Sequence, residues 1–202
     1  TDGGDSTIQK LTANGQLITR WGTFGSDDGQ FGGAQGIAVD AGGNIYVADT
    51  FNHRIQKFTA EGKFISKWGG LGTENGKLDN PTGTAIDDDG YMYVVDSGNN
   101  RIQKFTLNGQ FISKWGGEGI GEGEFNFYHV FDGDYHSYRG GITRDTNGYL
   151  YVTDTYNHRI QKFTSDGQFV AQWGSMGGGN GEFSWPYGIT IDSNGRVFVT
   201  EE

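Results

Sequence analysis

Apolar residues come in short runs. In one stretch GIAVD (Gly36–Asp40) gives way to the polar group AGGN, then IYVADT (Ile45–Thr50), FNH, RIQKFT (Arg54–Thr59), AEG and KFISKWG (Lys63–Gly69). Val, Ile, Tyr, Phe and Thr fill the runs, and Gly, Asn and Asp fill the gaps, which is the signature of strands joined by tight turns. Alternation is imperfect: Ile55 and Phe58 fall on opposite faces of one strand. A sheet covered on both faces is therefore expected. No helix is predicted.

The pattern repeats. IQK recurs at Ile8, Ile55, Ile102 and Ile160, and the WG pair at Trp21, Trp68, Trp115 and Trp173, both with spacings of 47, 47 and 58. Gly36, Gly83, Gly141 and Gly188 open a third matching segment at spacings of 47, 58 and 47. The period is 47, with one 11-residue insertion between Trp115 and Gly141. Four-stranded antiparallel sheets repeating every 40–50 residues, each buried between neighbours, describe an all-β fold, a β-propeller. A β-helix has shorter coils, and a sandwich does not repeat its own sequence.

The unit GIAVD–GNIYVADT–NHRIQKF–G–F–WG resembles the NHL repeat, and the match runs through nearly the whole chain. The resemblance implies a propeller, usually of six blades. Here residues 1–202 read as a single domain of four blade-equivalents. The chain enters on the third and fourth strands of a blade (Ile8 to Trp21) and leaves on the first and second (Gly188 to Glu202). Two arrangements fit: a closed four-bladed ring in which those segments share one composite sheet, or an arc of a larger ring.

Propeller topology puts the turns after the second strand and the links between blades on one face, the top. All four histidines (His53, His129, His136 and His158) are expected there. Asp49, Asp96 and Asp154 end second strands, and Arg54, Arg101 and Arg159 begin third strands. A charge-assisted bond across the turn is the favoured reading, ahead of a ring of ligand-binding carboxylates. The bottom turns DAGGN, DDDGY, DTNGY and DSNGR read as hairpin chemistry rather than calcium loops, because the distal Glu of a calcium loop is missing. Glycine-rich strings such as WGSMGGGNGEF read as turns between blades, since a phosphate cradle needs a following helix. One Trp per repeat reads as blade-to-blade packing.

One segment is not repeat. Residues 126–140, NFYHVFDGDYHSYRG, stand where the second period has four residues. This top-face insertion holds Phe127, Tyr128, Phe131, Tyr135 and Tyr138, with Arg139 beside them. Those six are the candidate binding residues, because flat aromatics with a few polar partners suit a protein epitope or a sugar ring. His129, Asp132, Asp134 and His136 are the candidate metal ligands. A loop that plugs the channel is the plain alternative.

Composition narrows the function. Of 202 residues, 37 are Gly, 2 are Pro and none is Cys. That removes a disulfide scaffold and thiol chemistry, and collagen needs far more proline. The net charge of −10 disfavours nucleic acid, and so disfavours the RNA binding of some animal NHL propellers. No apolar run reaches the ~18 residues of a membrane span. Thr1 opens the chain, which points to a processing event or to part of something longer, and no leader-type pattern assigns a compartment. An acidic, Cys-free, Gly-rich chain fits a secreted or surface protein of a microbe. With no serine elbow or triad in view, the expectation is a non-catalytic binding module without catalytic residues, cofactor or catalytic metal. Its partner would be a protein, a carbohydrate or a second copy. The alternative is a propeller lyase or hydrolase with a channel-bound metal.

Overall fold

A computed structural model describes residues 6–131 and 135–202. Its strands are β1 (Ile8–Leu11), β2 (Leu17–Trp21), β3 (Ala34–Val39), β4 (Ile45–Asp49), β5 (Arg54–Phe58), β6 (Phe64–Gly69), β7 (Pro81–Ile86), β8 (Tyr91–Asp96), β9 (Arg101–Thr106) and β10 (Phe111–Gly116). They continue with β11 (Tyr128–Phe131), β12 (Tyr135–Tyr138), β13 (Ile142–Arg144), β14 (Leu150–Asp154), β15 (Arg159–Phe163), β16 (Phe169–Trp173), β17 (Gly188–Ile191) and β18 (Val197–Thr200). Three four-stranded antiparallel sheets, β3–β6, β7–β10 and β13–β16, are the complete blades. The chain is an all-β propeller of the architecture its period predicts. The gaps after β4, β8 and β14 hold single turns of 3-10 helix rather than plain hairpin loops.

The half-blades do not join. β1–β2 and β17–β18 form separate two-stranded sheets, so the composite sheet of a closed four-bladed ring is not made. Among the described residues the blades form an open arc. Among the described residues β1 pairs with β2 and β18 with β17, and no pairing joins the two sheets.

Consecutive blades bury their facing sides. Tyr46, Ile55, Met92, Val94 and Phe105 fill the space between the first two complete blades, closed at the rim by Trp68. Tyr93, Ile102, Phe125, Val152 and Phe163 fill the next, closed by Trp115. Both faces of a blade are therefore apolar, which is why β4 and β8 show no simple alternation.

Two sets of glycines set the spacing between blades. At Gly36, Gly83 and Gly141 a Cβ would collide with the backbone carbonyl of Thr82, Gly140 and Tyr187 respectively, so the innermost strands β3, β7, β13 and β17 approach closely. At Gly62, Gly109 and Gly167 the backbone is left-handed, with φ of 82–83°. There the indoles of Trp21, Trp68 and Trp115 lie where a Cβ would project, with the nearest ring carbons at 2.5–2.6 Å from that point. Each Trp thus covers the turn of the following blade, and only glycine fits beneath it.

The Asp–Arg pair holds the top. Asp96 is fully buried and accepts from Arg101 Nε at 2.6 Å, from the Asp79 amide at 2.6 Å, and from Asn99 and Gln103 side chains at 2.9–3.0 Å. Arg101 in turn donates to the carbonyls of Thr73, Glu74 and Lys77 in the incoming loop. Asp49–Arg54 and Asp154–Arg159 repeat the arrangement at 2.7 Å. Burial pushes the carboxyls of Asp96 and Asp154 above the usual carboxylate range, against the pull of these donors.

Asp96→Ala should destabilise the fold by about 3–5 kcal/mol in urea unfolding, because Arg101 would remain buried without its counter-charge. Gly109→Ala should cost about 1–3 kcal/mol more than Gly90→Ala. Both positions have φ near +81° to +82°, but a Cβ at Gly90 meets only Leu107 Cδ1 at 3.8 Å.

Candidate functional site

The carboxylates of the repeat are structural. Asp40 accepts from the Asn44 amide and from the Tyr46 hydroxyl at 2.8 and 2.9 Å, and Asp87 and Asp145 do the same for Tyr93 and Tyr151. These bottom-face aspartates are spent on their own turns. Burial and the adjacent carboxylate raise the Tyr46 and Tyr93 phenols far above their ordinary value, so both stay neutral donors.

The repeat histidines are structural too. His53 and His158 close the 3-10 turns in the left-handed region, at φ 54° and 55°. Their Nδ1 atoms accept the amides of Asn80 at 3.1 Å and Trp185 at 3.3 Å. Asn100 fills the same place in the middle blade at φ 50°, and its Oδ1 accepts the Phe127 amide at 2.8 Å. One acceptor per blade thus tethers the link to the next blade. His53 also lies 3.2 Å from Asp79.

The insertion builds a hairpin, β11–β12, with Tyr128 opposite Tyr138 and Phe131 opposite Tyr135. Phe127 is fully buried, stacked on Phe125 at 4.7 Å, so it contributes to the core and offers no surface. Tyr128 and Tyr138 stack at 5.0 Å. The side chains of His129, Phe131, Tyr135 and His136, and Asp132 and Asp134 entirely, lie outside the described residues. Among the described residues no group of three or more His, Asp or Glu is placed to hold a metal.

The hairpin leads down into a cavity of about 700 Å³ lined by the innermost strands β3, β7, β13 and β17. Tyr138, Arg139, Tyr187, Phe51 and Glu202 stand at its wall. Arg139 is held from four sides. Its amide donates to the Phe127 carbonyl at 2.9 Å, its Nε to Ser137 Oγ at 3.1 Å, its Nη1 pairs with Glu202 at 2.7 Å, and its guanidinium lies 5.6 Å from the Tyr187 ring centre. Burial, then the charge of Asp79 and the neighbouring Tyr128, raise the Tyr138 phenol. It is a neutral hydroxyl, able to donate.

Tyr138 and Arg139 were legible in the sequence as part of the insertion. Tyr187, Phe51 and Glu202 were not singled out. Their signal lies in the aligned repeats: the position before each blade-opening glycine reads Gln35, Thr82, Gly140 and Tyr187. An inward position that varies beside a constant glycine marks the wall of the channel.

These features define an NHL-type propeller with a cavity at the inner strands. Comparison with known proteins gives the family. The NHL repeat model matches residues 31–58 and 78–105, and a model described as a 6-bladed beta-propeller matches residues 141–202. Together these matches support an NHL-repeat β-propeller family for the chain. Solved structures share the fold at low identity. A catalytically inactive virginiamycin B lyase from Staphylococcus aureus, solved with quinupristin, is 18% identical with a TM-score of 0.66, over 100% of this chain and 58% of that one. A streptogramin B lyase is 19% identical with a TM-score of 0.60, over 100% and 71%. A gluconolactonase from Xanthomonas campestris is 17% identical with a TM-score of 0.65, over 97% and 62%. Another virginiamycin B lyase structure from Staphylococcus aureus is matched over 48% of its length. The chain therefore spans roughly half to seven-tenths of these proteins. No helix of the described residues is long and apolar enough to cross a membrane.

His158→Asn should be close to neutral in thermal unfolding, since Asn100 performs the same tether at nearly the same φ. His158→Ala should cost about 1–2 kcal/mol, from an amide left without its acceptor and a left-handed residue lacking a polar side chain.

Proposed function

We propose that the protein is a non-catalytic binding module whose ligand sits in the inner cavity against Tyr138, Arg139 and Tyr187. The observation that carries this reading is the fixed guanidinium: Arg139 is braced by Ser137 and Glu202 and laid over Tyr187 inside a cavity of about 700 Å³. That volume is within the range of small-molecule sites. Aromatic faces with a clamped, multiply donating cation suit a carbohydrate ring, whose C–H face stacks and whose hydroxyls accept. A protein epitope presenting an aromatic or acidic side chain uses the same chemistry. Tyr128 and Tyr138 would extend the surface above the cavity, together with Phe131 and Tyr135 of the hairpin. An enzyme acting in the same cavity is the second reading. It draws on the lyase and lactonase neighbours, whose likeness is one of fold, and fold alone does not carry function.

An oligosaccharide array followed by calorimetry tests the proposal. A binder is expected, and Arg139→Ala or Tyr187→Ala should weaken it at least tenfold, about 1.4 kcal/mol. Melting temperatures of the variants near that of the wild type would tie the loss to the site. Binding indifferent to both substitutions would remove the cavity from consideration. Turnover of a gluconolactone or of quinupristin by the purified protein would favour the enzyme.

A further inference from the structure

We propose that the bottom-face cleft between the last two complete blades binds a small free α-amino acid, with its carboxylate on Arg144 and its ammonium group at Asp89. The cleft is a cavity of about 360 Å³, bounded by the β7–β8 turn of one blade and by the β13–β14 and β15–β16 turns of the next. It shares no lining residue with the cavity around Arg139.

The repeat shows what this place holds elsewhere. Between the first two complete blades, Ile86 and Leu107 pack against the shared core. The turn of the earlier blade contributes Gly42 there. At the next interface the three matching positions carry Arg144, Ser165 and Asp89, and all three line the cavity. Two apolar plugs and a glycine have become a cation, a small hydroxyl side chain and a carboxylate. The exchange is visible at the turn glycines. A Cβ on Gly90 would meet Leu107 Cδ1 at 3.8 Å, whereas a Cβ on Gly148 would meet Arg144 Nη2 at 3.9 Å. An arginine placed only to pair with Asp88 would not need Leu107 exchanged for Ser165, a change that empties space.

Arg144 has donors to spare. Its Nη1 pairs with Asp88 at 2.9 Å, but that carboxylate is 86% exposed, and an ion pair so open to solvent contributes little. Nε is buried and has no acceptor among the described residues. Nη2 has none either, and it lies beside Gly148 in the cavity wall. A buried donor without a partner is costly, and the Nε–Nη2 edge of a guanidinium matches the two oxygens of a carboxylate.

Asp89 is the opposite pole. Asp87 is committed to the Tyr91 amide and the Tyr93 hydroxyl, and Asp88 to Arg144. Asp89 has no hydrogen bond or ion pair among the described residues. The neighbouring lysines are also committed: Lys104 lies over the Tyr91 ring and Lys162 over the Tyr149 ring, at 4.3 and 4.1 Å. The Ser165 carbonyl is fixed by Tyr93 and Lys104, each at 3.3 Å, so that wall is built in advance. A simple anion entering the cleft meets Asp87 and Asp89, and a simple cation meets Arg144. A molecule carrying both charges close together satisfies each wall. The volume lies at the small end of ligand sites.

Calorimetry of the full chain with glycine, alanine and serine tests the proposal, with acetate and ethylammonium as half-ligands. At least one of the amino acids should bind one-to-one, and each half-ligand should bind at least tenfold more weakly. The double substitution Arg144→Ile, Ser165→Leu restores the residue types that plug the preceding interface. It should abolish binding with the melting temperature unchanged or raised. Asp89→Gly, which copies Gly42, should weaken binding at least tenfold and leave the fold intact, so the prediction stands even if the double variant folds poorly. Arg139→Ala should leave this binding unchanged. Absence of binding by all three amino acids would overturn the proposal. So would acetate binding as tightly as they do, which would mean an anion site only, and so would full binding by the plugged variant or by Asp89→Gly.

Discussion

A buried carboxylate at the end of each blade's second strand is the interaction on which the top of this propeller depends. Asp49, Asp96 and Asp154 each collect an arginine, a glutamine, an asparagine and a loop amide, with no exposure to solvent. The arginine then spreads its remaining donors over loop carbonyls that have no strand partner. For Arg54 these are Ser26, Asp27 and Gln30. A loop of nearly a dozen residues, rich in glycine, is thereby held by side chains rather than by a ladder. Charge-assisted bonds of this kind are strong in a dry setting and costly to break on one side only. The inner strands inherit their positions from these loops, and the cavity wall inherits its shape from the inner strands.

Near-identical blades cannot by themselves make a selective site. Asymmetry enters through two departures from the repeat. The insertion supplies Ser137, Tyr138 and Arg139, and the last half-blade supplies Tyr187 and Glu202. Arg139 binds them together, with Glu202 as its counter-charge and the Tyr187 ring beneath it. Phe127 anchors the start of the hairpin by stacking on Phe125, a core ring of the repeat. The inserted segment is thus rooted in the blade it precedes.

The same repeat logic leaves the ends of the arc mismatched to water. An interior blade hides Tyr46 and Phe58 completely, but Phe198 and Leu11 occupy the equivalent places at the edges and stand half exposed. For side chains left half exposed, the burial forgone is worth about 1 kcal/mol each.

The sequence alone determined the period, the strands, the turn chemistry and the family resemblance. These are local or repeated features: alternating apolar runs, glycine at left-handed turns, and aspartate followed five residues later by arginine. It also marked residues 126–140 as foreign to the repeat. Phe127 shows where composition stops being informative, since an aromatic in a foreign segment can face inward or outward, and only packing against Phe125 decided that it faces inward. Tyr187, Phe51 and Glu202 join the cavity through contacts between blades far apart in the chain, which no local pattern encodes. Whether the half-blades meet was likewise undecidable from counting repeats. Blade number depends on the angle at which successive sheets pack, and that angle is set by how closely strands such as β3 and β7 approach at Gly36 and how the indoles seat on the turn glycines.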